Sequence, residues 1–433
     1  MTLSDPSSLS TDPRRLFAVD VVRTLRAAGY EALWAGGCVR DALLGKVPKD
    51  YDVASTATPS DVIALFGERR TVAVGASFGV VMVLGPTKQA GQIEVATFRS
   101  DGQYLDGRRP SSVTFCRPEE DAKRRDFTIN GLFFDPISEQ VIDYVGGRQD
   151  LSAGIVRAIG DPHARFGEDK LRMLRAVRFA ATFSFSLDAA TADAIRAHHH
   201  QLLQVSVERI AQELRRMLAH PSRALSIQMM QDTRIIGEAL PEICDEHGRL
   251  ADPQVLPVLN ELEICSSESA FAVILRSLIN DQESDARVRR KPIEDCCRRL
   301  KLSNDELDAI LWLIEAVPTI RNITEQPLHV RKTMLAHPLA ESLLNISRAI
   351  AIAEGRRPED ADFCRNYLSG TPRDVLWPEP FLSGKDVMAL GVAPGPSIRL
   401  LLERLWRDQL DERLLSRDEA ICRLRELVSR QEF

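Results

Sequence analysis

Between residues 14 and 28 apolar side chains return every three positions (Leu16, Val19, Val22, Leu25) and Gly29 ends the run, which predicts an amphipathic helix. Residues 34–52, Trp-Ala-Gly-Gly-Cys-Val-Arg-Asp-Ala-Leu-Leu-Gly-Lys-Val-Pro-Lys-Asp-Tyr-Asp, read as a strand, a glycine turn, a short helix and a second strand ending in two carboxylates. Thr58-Pro59 opens another helix, with Thr58 as its cap and Pro59 at its first position, carrying Val62, Ile63, Leu65 and Phe66. Three β-rich runs follow at 71–74, 80–84 and 92–98, broken by glycines. Strands and helices thus alternate to about residue 160. Beyond that point helical patterns succeed one another at 167–182, 189–199, 207–218 and 224–232, and strand patterns all but vanish as far as residue 433. Loops at 355–360 and 371–380 punctuate this part, and no fixed-period repeat is evident. The expected class is α+β: a mixed sheet with helices, followed by a long all-α region.

The chain has 433 residues, enough for several domains, and 44% hydrophobic with 27% charged residues is an ordinary globular balance. A net charge of −6 excludes a uniformly basic nucleic-acid binder and leaves only a local basic patch. No apolar run reaches the ~18 residues of a membrane span. Residues 1–13 are polar and rich in Ser, Asp and Pro, which predicts a disordered leader without a signal sequence. The eight cysteines contain no Cys-x-x-Cys, so no zinc site or disulfide framework is expected, and a reduced cytoplasmic setting is the simplest reading.

The candidate chemistry begins with the stretch 34–52. Gly36 and Gly37 let backbone approach a bulky anion, the helix that follows points N–H groups at a phosphate, and Arg40 adds a forked cation. Asp50 and Asp52 fall on one face of an extended segment, and paired carboxylates suit Mg²⁺, which also takes ligands from substrate phosphates. Glu94, between Ile93 and Val95, reads equally as the solvent side of a strand and as a third carboxylate beside that pair. The segment 98–115 holds Gly102, Gly107 and Pro110, with Arg99, Arg108 and Arg109 interleaved with Tyr104. It reads as a mobile loop, either merely solvated or touching phosphate or base. In Arg-Arg-Asp-Phe-Thr-Ile-Asn, 124–130, Asp126 and Asn130 are four apart on one helical face. The segment is either a charged amphipathic helix or one that places Arg125 on triphosphate and Asp126 and Asn130 near a ribose. In 168–179, Glu-Asp-Lys-Leu-Arg-Met-Leu-Arg-Ala-Val-Arg-Phe, arginines 172, 175 and 178 spiral round a helix on which Asp169 and Arg172 are neighbours. An ion-paired surface helix gives this pattern. So does a base reader: cytosine and adenine both present an amino donor beside a ring-nitrogen acceptor, which an Asp–Arg pair matches and which uracil and guanine invert.

Together these motifs resemble class II tRNA nucleotidyltransferases, the CCA-adding enzymes, with bacterial poly(A) polymerases as kin. The resemblance is strongest over residues 30–185, and a weaker one reaches the tail through Ser383-Gly-Lys-Asp-Val and Leu-Gly-Val-Ala-Pro-Gly-Pro-Ser. It implies a polymerase-β-like head at 14–160 after the leader 1–13, then a neck at 161–235, a body at 236–375 and a tRNA-binding tail at 376–433. It implies Mg²⁺ on Asp50 and Asp52, and nucleotide contacts from Gly36, Gly37, Arg40, Arg125, Asp126 and Asn130. Glu168, Asp169 and Arg172 would read the base, with Arg175 and Arg178 as further contacts. The substrates implied are CTP, ATP and the tRNA 3′ end, with neither a membrane nor a protein partner. Arg209, Arg215, Arg216, Arg223, Arg399, Arg404 and Arg407 are candidates for RNA backbone contact. Gly131 stands where the family usually has alanine, which predicts looser packing there. The scattered histidines suggest no appended hydrolase, and 198–200 read as an exposed helix end. CCA addition, A-only or CC-only addition, and poly(A) synthesis compete as products; the 98–110 loop favours a complete or A-adding enzyme, and the ending Arg-Gln-Glu-Phe without a strongly basic extension speaks against poly(A) synthesis. A non-catalytic RNA-binding relative is the reading from another class, and the intact Asp50 and Asp52 oppose it.

Overall fold

Asp12 accepts a hydrogen bond from the Arg14 amide and Pro13 occupies the first turn, so α1 (Pro13–Ala27) starts where its cap dictates. Its buried face is Phe17, Ala18, Val19, Val21, Val22 and Leu25; Leu16, counted in the stripe by periodicity, lies in the opening turn and is exposed. The computed structural model describes residues 12–75, 79–101, 113–263, 265–280 and 282–430. Most of the expected leader, and the loop positions Tyr104, Arg108 and Arg109, lie outside the described residues.

Next come β1 (Ala32–Ala35), α2 (Gly37–Leu43), β2 (Asp52–Ser55), α3 (Pro59–Phe66), β3 (Thr71–Gly75), β4 (Val80–Leu84) and β5 (Gln92–Thr97). A short hairpin, β6 (Arg99–Asp101) and β7 (Val113–Phe115), leads to α4 (Pro118–Arg124), β8 (Leu132–Asp135) and β9 (Gln140–Asp143). Seven strands form one mixed sheet in the order β3-β4-β5-β2-β1-β8-β9. β1 runs antiparallel to both β2 and β8, whereas β2 and β5 are parallel with Asp52 opposite Glu94. Leu33, Ala35, Ala54, Phe98, Ala122 and Phe133 pack one core against this sheet.

The two carboxylates of the opening stretch lie at the start of the second strand and do not end it. Pro48 has no N–H for a ladder, and pairing with β1 begins at Val53, so Asp50 sits before β2 and Asp52 is its first residue.

Two further expectations change. The helix placed across 124–130 stops at Arg124, because backbone bonds to 157–159 draw the chain into an extended path: Thr128 N–H donates to Arg157 O and Ile159 N–H to Asp126 O. Residues 128–130 make only a 3₁₀ turn. The helix expected over 167–182 is two helices, α6 (Pro162–Glu168) and α7 (Leu171–Phe183), with α5 (Gly147–Ala153) before them. Asp161 caps α6 through the amides of His163 and Ala164, and Asp169 breaks the path at φ −143°, ψ 105°. α8 (Ala189–His198) and α9 (Val207–Leu218) follow; after residue 160 the sole described strand is Ser186–Leu187.

The chain divides into two compact units, residues 1–217 with 225–249 and residues 218–224 with 250–433. In the described residues of the second, every regular element is helical. Its C-terminal part packs Leu382, Val387, Leu401, Leu405, Leu414, Ala420, Leu424 and Leu427 into a core of its own. Among the described residues no helix is long and apolar enough to cross a membrane.

Candidate active site

The turn between β1 and α2 demands glycine. Gly36 has φ +74°, and a Cβ there would lie 2.9 Å from the Arg125 guanidinium. That close approach lets Arg40, from α2, and Arg125, from the end of α4, share one cleft of about 500 Å³. Gly36, Gly37, Arg40, Asp52, Arg125, Asp126, Asn130, Asp169, Arg172 and Arg175 all line it, although sequence separates the first from the last by more than a hundred positions. Arg99, the first residue of β6, lines it as well.

Each cation is held by a partner. Arg40 donates to Asp41 Oδ1 at 2.8 and 2.9 Å and to Asn130 Oδ1 at 2.5 Å. Arg125 donates to the buried Asp121 at 2.9 and 3.1 Å, and the pair of arginines 124 and 125 holds that carboxyl below its usual range against the cost of burial. Asn130 Nδ2 donates to Asp126 Oδ1 at 3.0 Å, so these two side chains meet without sharing a helix. Arg175 clasps Asp126 Oδ2 from Nε at 3.0 Å and from Nη2 at 2.6 Å. Although burial opposes ionisation, Arg175, Asn130 and the Phe127 amide bring the Asp126 carboxyl down to about 2.

At the break between α6 and α7, Arg172 is buried and donates to Glu168 Oε2 at 2.6 Å and to the carbonyls of Arg165 and Arg124. Asp169 accepts from the Leu171 amide at 3.1 Å and from Arg209 of α9 at 2.9 Å. Asp169 and Arg172 therefore enter the cleft with their outer sides fixed, while Glu168 stands behind Arg172 and off the cleft wall. Arg178 also lies off the wall. It bonds the buried Glu213 of α9 at 2.5 Å.

The carboxylate end is formed by β2 and β5. Asp50, Asp52 and Glu94 are exposed, alternating along the chain with the buried Tyr51, Ile93 and Val95. The side chain of Asp52 opens to solvent, yet the protein around the cleft floor desolvates it and raises its carboxyl to about 6; Glu94 and Asp50 add to the rise and Arg125 opposes it. Among the described residues no group of three or more His, Cys, Asp or Glu side chains is arranged to hold a metal. The donor chemistry of the pair nonetheless fits a hard divalent cation, since mutually repelling carboxylate oxygens are what such an ion binds and neutralises.

Three features escaped the sequence. Arg124 and Phe179 line the cleft, and Glu213 anchors α7 from α9. Arg124 adjoins Arg125 and Phe179 closes the 168–179 motif, so both were in view without a role; nothing in the sequence ties Glu213 to Arg178. Arg223, a candidate for RNA contact, is 2% exposed and donates to the carbonyls of Leu218 and Leu262, so it serves packing. Arg209 is engaged by Asp169, Arg216 by Glu213 and Arg399 by Glu403. Gly131 does not loosen its surroundings: a Cβ there would lie 2.7 Å from Val145 and 3.2 Å from Ile159, which fill the space. His198 ends α8 with its ring 3.0 Å from His163, and His199 pairs with Glu238.

Residues 32–157 match the poly A polymerase head domain, and residues 184–246 match the probable RNA and SrmB-binding site of polymerase A. The chain is 35% identical over 397 residues to the CCA-adding enzyme of Geobacillus thermodenitrificans, covering 90% of this chain and 91% of the relative. To the CCA-adding enzyme of Enterococcus faecalis it is 37% identical over 406 residues, covering 93% and 94%. Among solved structures, that of the Bacillus stearothermophilus CCA-adding enzyme in complex with CTP superposes with a TM-score of 0.78 at 28% identity, covering 97% of this chain and 99% of that one.

Proposed function

The chain belongs to the family of CCA-adding enzymes, which are RNA nucleotidyltransferases, and from that premise we propose that it adds CMP and AMP to the 3′ end of tRNA without a nucleic-acid template, using CTP and ATP. The observation that carries this reading is the single cleft in which a phosphate-sized cationic end (Gly36, Gly37, Arg40, Arg125), a carboxylate end (Asp52) and a fixed Asp169–Arg172 pair converge.

The tRNA 3′-oxygen attacks the α-phosphorus, the bond from that phosphorus to the β-bridging oxygen breaks, pyrophosphate leaves and the hydroxyl proton passes to water. Arg40 and Arg125 hold the triphosphate by charge-assisted hydrogen bonds, and Asp126 and Asn130, already bonded to each other, orient the ribose. Asp169 accepts from the exocyclic amino group of C or A and Arg172 donates to the ring nitrogen, with Glu168 and Arg209 fixing their outer faces. Asp50 and Asp52 would hold Mg²⁺, with Glu94 beside them. Bound there, Mg²⁺ would activate the attacking hydroxyl and offset charge on the leaving pyrophosphate. In this reading residues 14–160 are the catalytic head and 161–235 the base-reading neck, with the body at 236–375 and the tRNA-binding tail at 376–433 beyond them. The enzyme would work in the reducing cytoplasm, where its eight free cysteines remain thiols.

The test offers tRNAs ending at the discriminator base, at C and at CC, with labelled CTP or ATP. Completion of CCA on all three supports the reading; A alone on the CC end, or a long A tail, selects a rival product.

A further inference from the structure

Phe179 stands at the meeting point of the two halves of the cleft, and no role in nucleotide transfer assigned above falls to it. Its ring is 7% exposed and faces the cleft from α7. Three guanidiniums surround it: Arg178 at 4.2 Å from the ring centroid, and Arg40 and Arg175 at 5.2 Å. Arg40 comes from the phosphate end and also lies 4.6 Å over Phe183, which stacks on Phe179 at 9°. Phe127 meets the Phe179 ring edge-on at 5.8 Å.

Each of the three cations has a carboxylate partner: Asp41 for Arg40, Asp126 for Arg175 and Glu213 for Arg178, with Glu213 also 4.0 Å from Arg175. Those ion pairs fix each guanidinium along its donor edge. A chain from Arg40 through Asn130 and Asp126 to Arg175 also links two donor edges, but it leaves the guanidinium faces, whose like charges repel, to the ring. The negative face of an aromatic ring attracts all three. A saturated side chain of equal size would fill the same volume and supply none of that attraction.

We propose that Phe179 is a positioning residue whose ring sets the distance between the phosphate-end Arg40 and the base-end helix α7, so that nucleotide affinity depends on the electron density of the ring. The inference rests on the proposed role of Arg40 at the triphosphate. Base choice lies with Asp169 and Arg172, so the ring acts on CTP and ATP alike. Only part of the cation–ring attraction is expressed as nucleotide binding.

The experiment places 4-fluoro-, 3,5-difluoro- and 3,4,5-trifluorophenylalanine at position 179 of the full-length protein, which drains the ring face with little change of shape. KM for CTP and for ATP should climb stepwise along the series, by roughly tenfold in all. kcat should change less, the C-to-A preference should hold, and each variant should remain fully folded at the assay temperature. Phe179→Leu should match the most fluorinated ring in KM. A flat KM across the series, or a KM that rises only in variants no longer folded at the assay temperature, overturns the proposal and leaves the ring a packing element. Failure of the unsubstituted protein to add C or A would instead overturn the functional reading beneath it, so the two failures are distinguishable.

Discussion

Replacing Asp126 by asparagine removes a charge whose contribution can be worked from the structure. The carboxylate is 11% exposed and accepts from Arg175 twice, from Asn130 and from the Phe127 amide. Its pKa falls from the ordinary 3.8 to about 2. The folded state therefore favours the ionised form by nearly two pH units, which at ~1.4 kcal/mol per unit amounts to about 2 kcal/mol. Because the shift is downward, that stabilisation is complete above pH 4 and is lost as the pH falls toward 2. The assay is urea unfolding of Asp126→Asn beside the parent protein from pH 7 to pH 2, followed by a probe in the N-terminal unit. The gap between them should be about 2 kcal/mol at pH 7 and should close below pH 4. In a double-mutant cycle Arg175→Gln should add little once Asp126 is neutral, because each partner's loss already breaks the clasp. A gap that persists at low pH, or additive losses from the two substitutions, would refute the assignment of this stability to the Asp126–Arg175 pair.

Asp52→Asn should abolish nucleotide addition while leaving the melting temperature unchanged or higher, since it relieves a carboxyl raised to about 6 by burial and by its acidic neighbours; a clear loss of thermal stability would contradict that reading. Chelation of divalent cations should likewise stop turnover in the parent protein, and Mg²⁺ added back should raise its melting temperature but not that of a protein carrying both Asp50→Asn and Asp52→Asn. Gly36→Ala should cost about 1–2 kcal/mol from the positive φ alone and should raise KM for both nucleotides, because the new methyl displaces the Arg125 guanidinium; an unchanged KM would mean that Arg125 is not held by this turn. Gly131→Ala should destabilise by about 1 kcal/mol through crowding, and Val145→Ala in the same chain should recover it, both measured by urea unfolding.

Local chemistry made much of this molecule legible from its sequence. Thr58 and Pro59 place the start of α3 because a capping oxygen and a proline both act within one turn. Val80–Leu84 reads as a strand because pairing buries alternate side chains, Val81 and Val83. The glycines, arginines and acids of the cleft were nameable as candidates because phosphate, metal and base each require particular donors and acceptors. Where the reading failed, a distant partner had overruled local pattern. The apolar period ran straight through Asp169, but Arg209 and the Leu171 amide hold that carboxylate where a continuous helix could not present it. Periodicity likewise put Asp126 and Asn130 on one helix, but pairing with residues 157–159 straightened the chain, and the two side chains met by another route.

By itself the sequence determined which residues are candidates for chemistry, and the local elements on which many of them sit, because side-chain type, capping and periodicity are properties of neighbours along the chain. Only the tertiary structure decided which of those residues share a cleft, that Arg223 is packing and that Gly131 is crowded. It alone placed Phe179 between the arginines of two motifs. Those outcomes depend on groups that are far apart in sequence and close in space, and no local pattern records such a distance.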